Sequence, residues 1–302
     1  MKKFFSWIGI VLLVCFCADR GGSLLMDKLY LRSQATDEYK VNQVVRNMDA
    51  EVVFMGSSKC HHSFVPSIIA DSLNRTVYNA GLWGIKNIYF QYGLLNLFLE
   101  RYTPKVICLE VHPCDVMQTP FSDLERIGSL APFIGENAAC DSLFKLAGTY
   151  YSYQVSHLYR YNSGLVNYIL GSCFVENSQT DNGYKPLFKQ ASEDEKMDEF
   201  NFPMDERKIS YLNKFIWKCK EKKIQLIFVS SPMYLTSTSY STCMEFFQKV
   251  ADENQLIFLN QTKESPLAGE QEFYADRGHF NDKGARLYSA IFGHLLKNIL
   301  AQ

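Results

Sequence analysis

The sequence has no excess of charge of either sign. Its 302 residues include 31 lysines and arginines and 32 aspartates and glutamates, which gives a formal net charge of −1. A chain with this balance has no overall field that would attract nucleic acid, so we expect no nucleic-acid partner. The chain also lacks internal repeats and low-complexity segments. At 302 residues the chain could hold one large domain or two small ones, and we favour one domain.

Recognisable metal and redox motifs are absent as well. None of the nine cysteines forms a C-x-x-C pair or a zinc-binding spacing, so the sequence predicts neither a metal nor another cofactor. His61 and His62, together with Asp115 and His279, are conceivable metal ligands, but their spacing matches no known ligand pattern. Most of the cysteines are expected to be small, buried hydrophobic residues.

Long apolar runs are scarce, and the exception lies at the N-terminus. Met1-Lys2-Lys3 precedes an almost unbroken apolar run from Phe4 to Ala18, which is the pattern of an export signal. We predict an uncleaved signal anchor at residues 4–18 that holds the rest of the chain outside the cytoplasm, at the inner or cytoplasmic membrane. Because the run is shorter than the ~20 residues that span a bilayer comfortably, cleavage followed by secretion is the alternative.

The segment after the anchor, residues 19–49, mixes leucine and tyrosine with charged residues at near-helical spacing. This pattern predicts an amphipathic stalk that leaves the membrane. The folded domain is then predicted at residues 50–302.

Short apolar runs and helical patterns alternate along that domain. Strands are predicted at residues 52–55, 76–79, 105–111, 225–230 and 256–259, and helices at residues 64–73, 85–101, 205–223, 242–254 and 282–300. Alternating strands and helices with short connections are typical of a parallel sheet with right-handed crossovers. The predicted fold class is α/β, a three-layer α/β/α sandwich with a flavodoxin-like parallel sheet.

Residues 118–205 interrupt the alternation. The segment is rich in tyrosine, serine and asparagine, and residues 178–205 are polar and strongly charged. It is predicted to be a mostly helical insertion that covers the crevice as a cap. Its tyrosines would suit stacking on carbohydrate.

Two separated stretches carry the candidate chemistry. The first strand ends in Gly56-Ser57-Ser58, which puts a hydroxyl at the carboxyl edge of the sheet, where open α/β folds bind ligands. Far along the chain, Asp276 precedes His279 by three residues on a loop that leads into a helix. Such an aspartate can accept the Nδ1 proton of the histidine and leave Nε2 as a base. The alternative is a plain loop in which Asn281 caps the last helix and both side chains are solvated.

These stretches, together with a third between them, resemble a known superfamily. The motifs are Gly56-Ser57-Ser58, Asn79-Ala80-Gly81-Leu82-Trp83-Gly84 and Asp276-x-x-His279-Phe-Asn-x-x-Gly284-Ala285, and in this order they are similar to those of the SGNH (GDSL) hydrolases. The chain most resembles the membrane-anchored, extracytoplasmic members related to teichoic-acid D-alanylation esterases and alginate O-acetylation proteins. The resemblance covers residues 50–117 and 225–300.

The resemblance implies a Ser-His-Asp site. Ser58 would be the nucleophile, His279 its general base and Asp276 the partner that orients the base. The backbone N–H groups of Ser58 and Gly84 would form the oxyanion hole. Family members often carry Gly-x-Asn-Asp after the third strand, whereas here Cys114 stands at the position of the asparagine. Loss of one oxyanion donor typically costs about 10²–10³ in turnover. Further candidates for the substrate pocket are Ser57, His61, Trp83, His112 and Asp115.

The sequence therefore predicts a serine acyl-esterase or O-acyltransferase that acts on acyl esters of a cell-envelope polysaccharide through a Ser58 acyl-enzyme. Its expected partners are that glycan or acyl-ester substrate and, through the N-terminal helix, the membrane; a membrane-bound acyltransferase is a further candidate. One alternative is a catalytically impaired SGNH-like module that binds glycan or scaffolds an envelope assembly. Another is a lipid acylhydrolase.

Overall fold

The structure, a computed structural model, describes residues 1–32, 37–84, 86–120, 123–162, 164, 166, 169, 181–197, 199 and 202–301. Its helices are α1 (Lys2–Arg32), α2 (Asp37–Arg46), α3 (Ser58–Ser63), α4 (Pro66–Leu73), α5 (Ile88–Phe98), α6 (Ala138–Leu146), α7 (Tyr150–Val155), α8 (Glu206–Glu221), α9 (Thr238–Asn254) and α10 (Asp282–Leu300). Its strands are β1 (Val52–Met55), β2 (Val77–Asn79), β3 (Val106–Glu110), β4 (Gln225–Ser230) and β5 (Ile257–Asn260).

The five strands form one sheet in the order β2-β1-β3-β4-β5, and every neighbouring pair is parallel. This is the flavodoxin-like order, so the predicted fold class is confirmed. Because parallel strands end on the same side, the carboxyl ends of β1, β3 and β4 meet at one edge. That edge brings together residues far apart in the chain, including Ser57, Glu110 and Ser231.

Helices cover both faces of the sheet, and successive residues of β1 point to opposite sides. Val53 and Met55 belong to the core cluster shared with α5, α8 and α9, whereas Val52 and Phe54 belong to the cluster shared with α4 and α10. All four side chains are fully buried. A strand buried on both faces has an unbroken apolar sequence, which is why this one is visible in the sequence.

Helix boundaries differ from the predicted ones where local chemistry intervenes. A single helix is predicted at residues 64–73, but the structure has α3 and α4 with Val65 extended between them, at φ −95° and ψ 104°. The residue before a proline avoids the helical region, and Pro66 then begins α4. Asn87 and Ser237 cap α5 and α9, so these helices begin at residues 88 and 238 instead of 85 and 242.

In the described part of the insertion, two 3-10 helices, Glu125–Phe133 and Leu158–Tyr161, accompany α6 and α7. It packs closely on α5: a Cβ added to Gly93 would lie 2.6 Å from Leu130 and 3.0 Å from Leu143. The tyrosine-rich part, residues 150–161, contacts α1 and α6 and, among the described residues, does not line the cavity beside Ser58. The insertion reaches that cavity instead through its two ends, near residues 118–120 and 195–202.

Helix α1 is divided sharply into an exposed half and a packed half. Residues 1–18 are all exposed, and the helix is long and apolar enough to cross a membrane by length and composition. From Asp19 onwards the helix contacts the rest of the protein, and Met26 and Tyr30 are buried in the core.

The segment predicted as a stalk is partly built into the fold. Val41 and Val44 on α2 are fully buried within the same core as α5. Lys40 is also buried, and its Nζ donates hydrogen bonds to the carbonyls of Gly81 and, at 2.6 Å, Gly183. The packed part of the chain therefore begins earlier than the predicted boundary at residue 50. An amphipathic helix has the same pattern whether its apolar face meets a core or a lipid surface.

Candidate active site

Ser58 lies at the point where β1 ends and α3 begins. The turn depends on Gly56, which has φ +154°: a Cβ there would lie 2.8 Å from that of Cys60 and 2.9 Å from that of Glu110. Ser57 follows in an extended conformation, and Ser58 is the first residue of α3. A first helical residue has no intrahelical acceptor for its N–H, so that donor remains available at the sheet edge.

The structure brings Ser58, His279 and Asp276 into one hydrogen-bonded chain. The Oγ of Ser58 lies 2.9 Å from Nε2 of His279, and Nδ1 of His279 lies 2.8 Å from Oδ1 of Asp276. His279 and Asp276 are about one quarter exposed, with 23% and 26% of their side-chain surface accessible. The three side chains thus stand in the geometry of a nucleophile, a base and an orienting carboxylate.

Asp276 is held in its charged form. It accepts hydrogen bonds from the backbone N–H groups of Gly278 and His279, each at 3.0 Å, besides that from the imidazole. Burial opposes ionisation, but the bonds from His279 and the two amides outweigh it and keep the pKa of Asp276 well below its usual range. With Asp276 as an acceptor, Nδ1 carries the imidazole proton and Nε2 faces Ser58 as an acceptor.

Aromatic rings surround His279. The ring of Trp83 stacks at 6.2 Å between centroids, and the ring of His62 meets His279 edge-on at 5.7 Å. Nδ1 of His62 donates to the carbonyl of Lys185 at 2.7 Å, and burial lowers the pKa of His62 to about 4. A neutral His62 adds no positive charge beside the candidate base.

Asn79 ties the second motif to the serine. Its amide donates to the carbonyls of Cys60 and Phe64, and its Oδ1 accepts from the N–H of Gly81. The loop after it leads to Gly84, which has φ +82° and lines the cavity next to Ser58. A positive φ of this size favours glycine, because other residues adopt it at a cost.

Residues His112–Asp115, which follow β3, form a tight turn capped by His112. Nδ1 of His112 accepts from the backbone N–H of Cys114 at 3.2 Å, and Asp115 accepts from the N–H of His112 at 2.8 Å. Burial lowers the pKa of His112 to about 3, so the ring is neutral. Because Nδ1 is an acceptor, the proton of the neutral ring sits on Nε2. Nε2 has no hydrogen-bond partner among the described residues. It is not fully buried, however, so it can reach a group in the cavity.

A buried ion pair lies directly behind the candidate nucleophile, and the sequence did not predict it as a pair. Nζ of Lys59 lies 3.2 Å from Glu110, with side-chain exposures of 5% and 1%. Lys59 also donates to the carbonyl of Ser231 at 2.6 Å, and Glu110 accepts from both the N–H and the Oγ of Ser231. The pair fastens the first turn of α3 to the ends of β3 and β4. A charged residue at the end of an otherwise apolar strand was the available signal for Glu110.

A cavity of about 810 Å³ opens at Ser58 and His279. Of the pocket candidates, Ser57 and His112 line it, whereas His61, Trp83 and Asp115 are not among its lining residues. Trp83 is instead stacked on His279, His61 is buried against the Gly81 loop, and Asp115 caps the turn after β3. Cys114 lines the cavity, but its Sγ lies against Nδ1 of His112 at 3.1 Å.

Most of the remaining cavity wall comes from apolar side chains. They include Pro113, Met117, Pro120, Met197, Phe202 and Met233. Polar side chains sit among them at Gln118, Thr119, Glu195 and Arg277. Within the described part of the chain, no group of three or more His, Cys, Asp or Glu side chains is arranged to hold a metal ion.

Neither a protein-family model nor a curated protein sequence matches the chain. Among solved structures, it is similar to a family two carbohydrate esterase from Clostridium thermocellum in complex with cellohexaose, with 10% identity and a TM-score of 0.43. The similarity covers 83% of this chain and 64% of that one, so the chain spans less than two thirds of that protein.

Two further solved structures are similar to the chain. One is a putative lipolytic protein of the G-D-S-L family from Desulfitobacterium hafniense DCB-2, with 10% identity, a TM-score of 0.43, and coverage of 81% of this chain and 99% of that one. The other is a putative acylhydrolase from Bacteroides fragilis NCTC 9343, with 10% identity, a TM-score of 0.39, and coverage of 87% and 95%. At this level of similarity the fold assignment rests on the sheet topology itself.

Proposed function

We propose that the chain is a serine acyl-ester hydrolase or acyltransferase of the SGNH type. The observation that carries the proposal is the continuous chain of hydrogen bonds from Ser58 through His279 to Asp276 at the floor of an open cavity. A serine with a purely structural role has no need of an imidazole nitrogen 2.9 Å from its hydroxyl, with a carboxylate bonded to the other nitrogen of that ring. That arrangement activates a hydroxyl for attack on a carbonyl.

In the proposed reaction, Oγ of Ser58 attacks the ester carbonyl while Nε2 of His279 takes its proton. Asp276 keeps Nδ1 protonated and stabilises the imidazolium that forms. When the tetrahedral intermediate collapses, His279 returns the proton to the leaving alcohol and the acyl group stays on Ser58. Water or a second hydroxyl, deprotonated by His279, then attacks the acyl-enzyme carbonyl. As the bond between the acyl group and Ser58 breaks, His279 returns the proton to Oγ of Ser58.

Three donors are available for the oxyanion of the intermediate. The backbone N–H groups of Ser58 and Gly84 are the two implied by the family resemblance. The third is Nε2–H of His112, which takes the place of the asparagine that Cys114 replaces. Its proton is fixed by the bond that Nδ1 accepts from Cys114, and the ring lines the cavity. A fixed, neutral donor costs no reorganisation as charge develops on the substrate.

The proposed substrates are acyl esters of a cell-envelope polysaccharide, and the proposed location is outside the cytoplasm, on a membrane anchor formed by residues 4–18. A cavity of about 810 Å³ leaves room for the alcohol part of an ester besides a small acyl group. The amide of Gln118 gives the wall a polar group that suits sugar hydroxyls. Envelope glycan and a membrane-bound acyltransferase are the proposed partners.

One observation favours a second candidate, a lipid acylhydrolase. Met117, Met197, Phe202 and Met233 give the cavity an apolar wall, and methionine adapts readily to flexible apolar chains. In that case the wall would hold an acyl chain. The two candidates share the same serine chemistry and differ in the acyl group.

The test of the chemistry is covalent labelling of the full-length protein with a fluorophosphonate. We expect wild type and a Ser142→Ala control to be labelled equally, because Ser142 lies on α6, outside the cavity lining, and its hydroxyl donates to the nearby carbonyl of Ala139. Ser58→Ala should not be labelled. Labelling that survives in Ser58→Ala would move the nucleophile elsewhere, and absence of labelling in wild type would favour the binding-module alternative.

The test of the substrate class is turnover of chromogenic esters that differ only in acyl length. A glycan O-acetylesterase should prefer acetyl, whereas a lipid acylhydrolase should prefer longer chains. Met233→Ser should weaken turnover of long esters selectively if the apolar wall holds the chain. A uniform effect of Met233→Ser on all chain lengths would count against the lipid candidate.

A further inference from the structure

The boundary between the exposed and the packed half of α1 falls at one residue. Every residue up to Ala18 is exposed, and Asp19 is the first whose side chain bonds to another part of the chain. Phe4, Trp7 and Leu12 are each more than 60% exposed, at 65%, 68% and 64%. Such a run favours an apolar environment, and the proposed anchoring by residues 4–18 supplies one in the bilayer interior.

The protein body is attached at this boundary without any spacer. Asp19 accepts hydrogen bonds from the hydroxyl of Ser156 and from the backbone N–H groups of His157 and Leu158, the latter two at 3.0 and 3.2 Å. Arg20 donates to the carbonyl of Gln154 at 3.5 Å. The turn at residues 154–161 is therefore fixed at the height where α1 leaves the apolar run.

The length of the run places that turn close to the lipid. Residues 4–18 rise by about 22 Å in an α-helix, at 1.5 Å per residue. The hydrocarbon core of a bilayer is about 30 Å thick. A span this short draws the residues after it towards the membrane, and the bilayer adapts by thinning locally at a modest cost. Asp19 and the turn bonded to it then lie in the headgroup layer.

The surface presented at this height has the composition of an interfacial contact. We call the exposed side chains of Tyr151, Val155, Leu158 and Tyr159 the interfacial edge; they are 75%, 79%, 37% and 45% exposed. Tyrosine is enriched at the level of lipid headgroups, where its ring meets hydrocarbon and its hydroxyl meets water. Residues 145–161 include a lysine, a histidine and an arginine but no acidic residue. Anionic headgroups would therefore meet no repulsion from this segment.

We propose that the interfacial edge inserts into the headgroup layer of a phospholipid bilayer and fixes the orientation of the whole domain on the membrane, a role that rests on the proposed anchoring by residues 4–18. This gives the tyrosine-rich part of the insertion a role other than stacking on substrate. The surface holds the domain, while the two ends of the same insertion line the cavity.

The experiment uses the full-length chain in phospholipid nanodiscs that contain no other protein. Tyr151→Trp and Tyr159→Trp each place a tryptophan in the interfacial edge, and the signal of the native tryptophans is removed by subtracting wild type. Lipids brominated near the headgroup should quench both introduced tryptophans by about twofold, since these rings would lie at that depth. Val155→Asp, added to Tyr151→Trp, should reduce the quenching because a carboxylate disfavours insertion.

Phe188→Trp is the matched control. Phe188 is 84% exposed, and its neighbour Leu187 bonds the first residue of α10 instead of α1. Quenching at positions 151 and 159 no stronger than at 188 would overturn the proposal and favour a protein partner for the edge. The difference in quenching between wild type and Trp7→Phe reports separately whether Trp7, and so the anchor, lies in the bilayer. If Trp7 is not quenched by lipid, the anchor is outside the bilayer and the proposal is overturned too. Fluorophosphonate labelling of the same samples shows whether the esterase proposal stands independently.

Discussion

The two halves of the candidate site are built in different ways. The half that would move the proton is local: Asp276 and His279 are three residues apart on one loop, and only Ser58 comes from elsewhere. The half that would hold the oxyanion collects its parts from the ends of several strands, with Ser58 after β1 and His112 after β3. If the oxyanion is held by donors from several segments, as proposed, then the cysteine at position 114, where the family resemblance implies an asparagine, removes one donor among several.

The largest effect is expected in the local half, from Asp276→Asn. The amide would leave His279 in the wrong tautomer, and such a change typically lowers turnover by about 10⁴. Rates of ester turnover and of fluorophosphonate labelling would measure it. Asp252→Asn, on the last turn of α9, removes an equally charged residue away from the cavity and should leave both rates unchanged. A loss below about tenfold for Asp276→Asn would mean that His279 needs no orienting partner.

The next effect concerns the ion pair that supports the assembled half. Lys59→Met leaves Glu110 buried without its cation, which should lower the free energy of unfolding by about 3–5 kcal/mol in urea denaturation. Burial raises the pKa of Glu110, and Lys59 opposes the rise. Without Lys59 the pKa of Glu110 in the folded protein rises further. The variant is therefore most stable at low pH, where Glu110 is protonated, and it loses stability as the pH rises through that pKa.

The loss of unfolding free energy caused by Lys59→Met should therefore be larger at pH 8 than at pH 5, because more of Glu110 is ionised at the higher pH. The double variant Lys59→Met with Glu110→Gln should recover part of the loss, because no buried charge remains. A single variant as stable as wild type at both pH values would show that the pair does not fasten α3.

A smaller effect is expected at the proposed oxyanion donor. His112→Ala should lower kcat by about 10²–10³ with little change in KM, because the donor acts on the intermediate. His112→Gln, which keeps an N–H donor, should recover part of the rate. Since the pKa of His112 is lowered to about 3, the ring stays neutral near neutral pH and its removal should not change the shape of the pH profile. His294→Ala, on the last helix α10 and away from the cavity, is the control. An unchanged kcat in His112→Ala would remove His112 from the site.

The smallest effect is expected from Cys114→Ala. The thiol touches Nδ1 of His112, but the backbone N–H of Cys114 also bonds that nitrogen and remains in the variant. We expect a loss of no more than about threefold in kcat, since the donor itself is untouched. A loss as large as that of His112→Ala would mean that the thiol itself is the donor at this position.

The parts of the molecule that local pattern determines could be predicted. The buried run of β1 and the spacing of Asp276 and His279 each depend on a few neighbouring residues, and the parallel order follows from the alternation of strands with helices. The Lys59–Glu110 pair could not be predicted, because it depends on β1, β3 and β4 ending side by side. The position of α2 was missed for a related reason: its amphipathic pattern does not say which apolar surface it meets.

The buried amine of Lys40 limits how far the chain can be truncated from its N-terminus without loss of folding. It joins three segments that are distant in sequence, since it reaches from α2 to carbonyls in the loop of the second motif and in the insertion. A protein that begins at residue 50 would leave these two buried carbonyls without that donor, at about 1–3 kcal/mol each, and would expose the core beneath Val41 and Val44. The smallest unit expected to fold and to present Gly84 correctly includes α2.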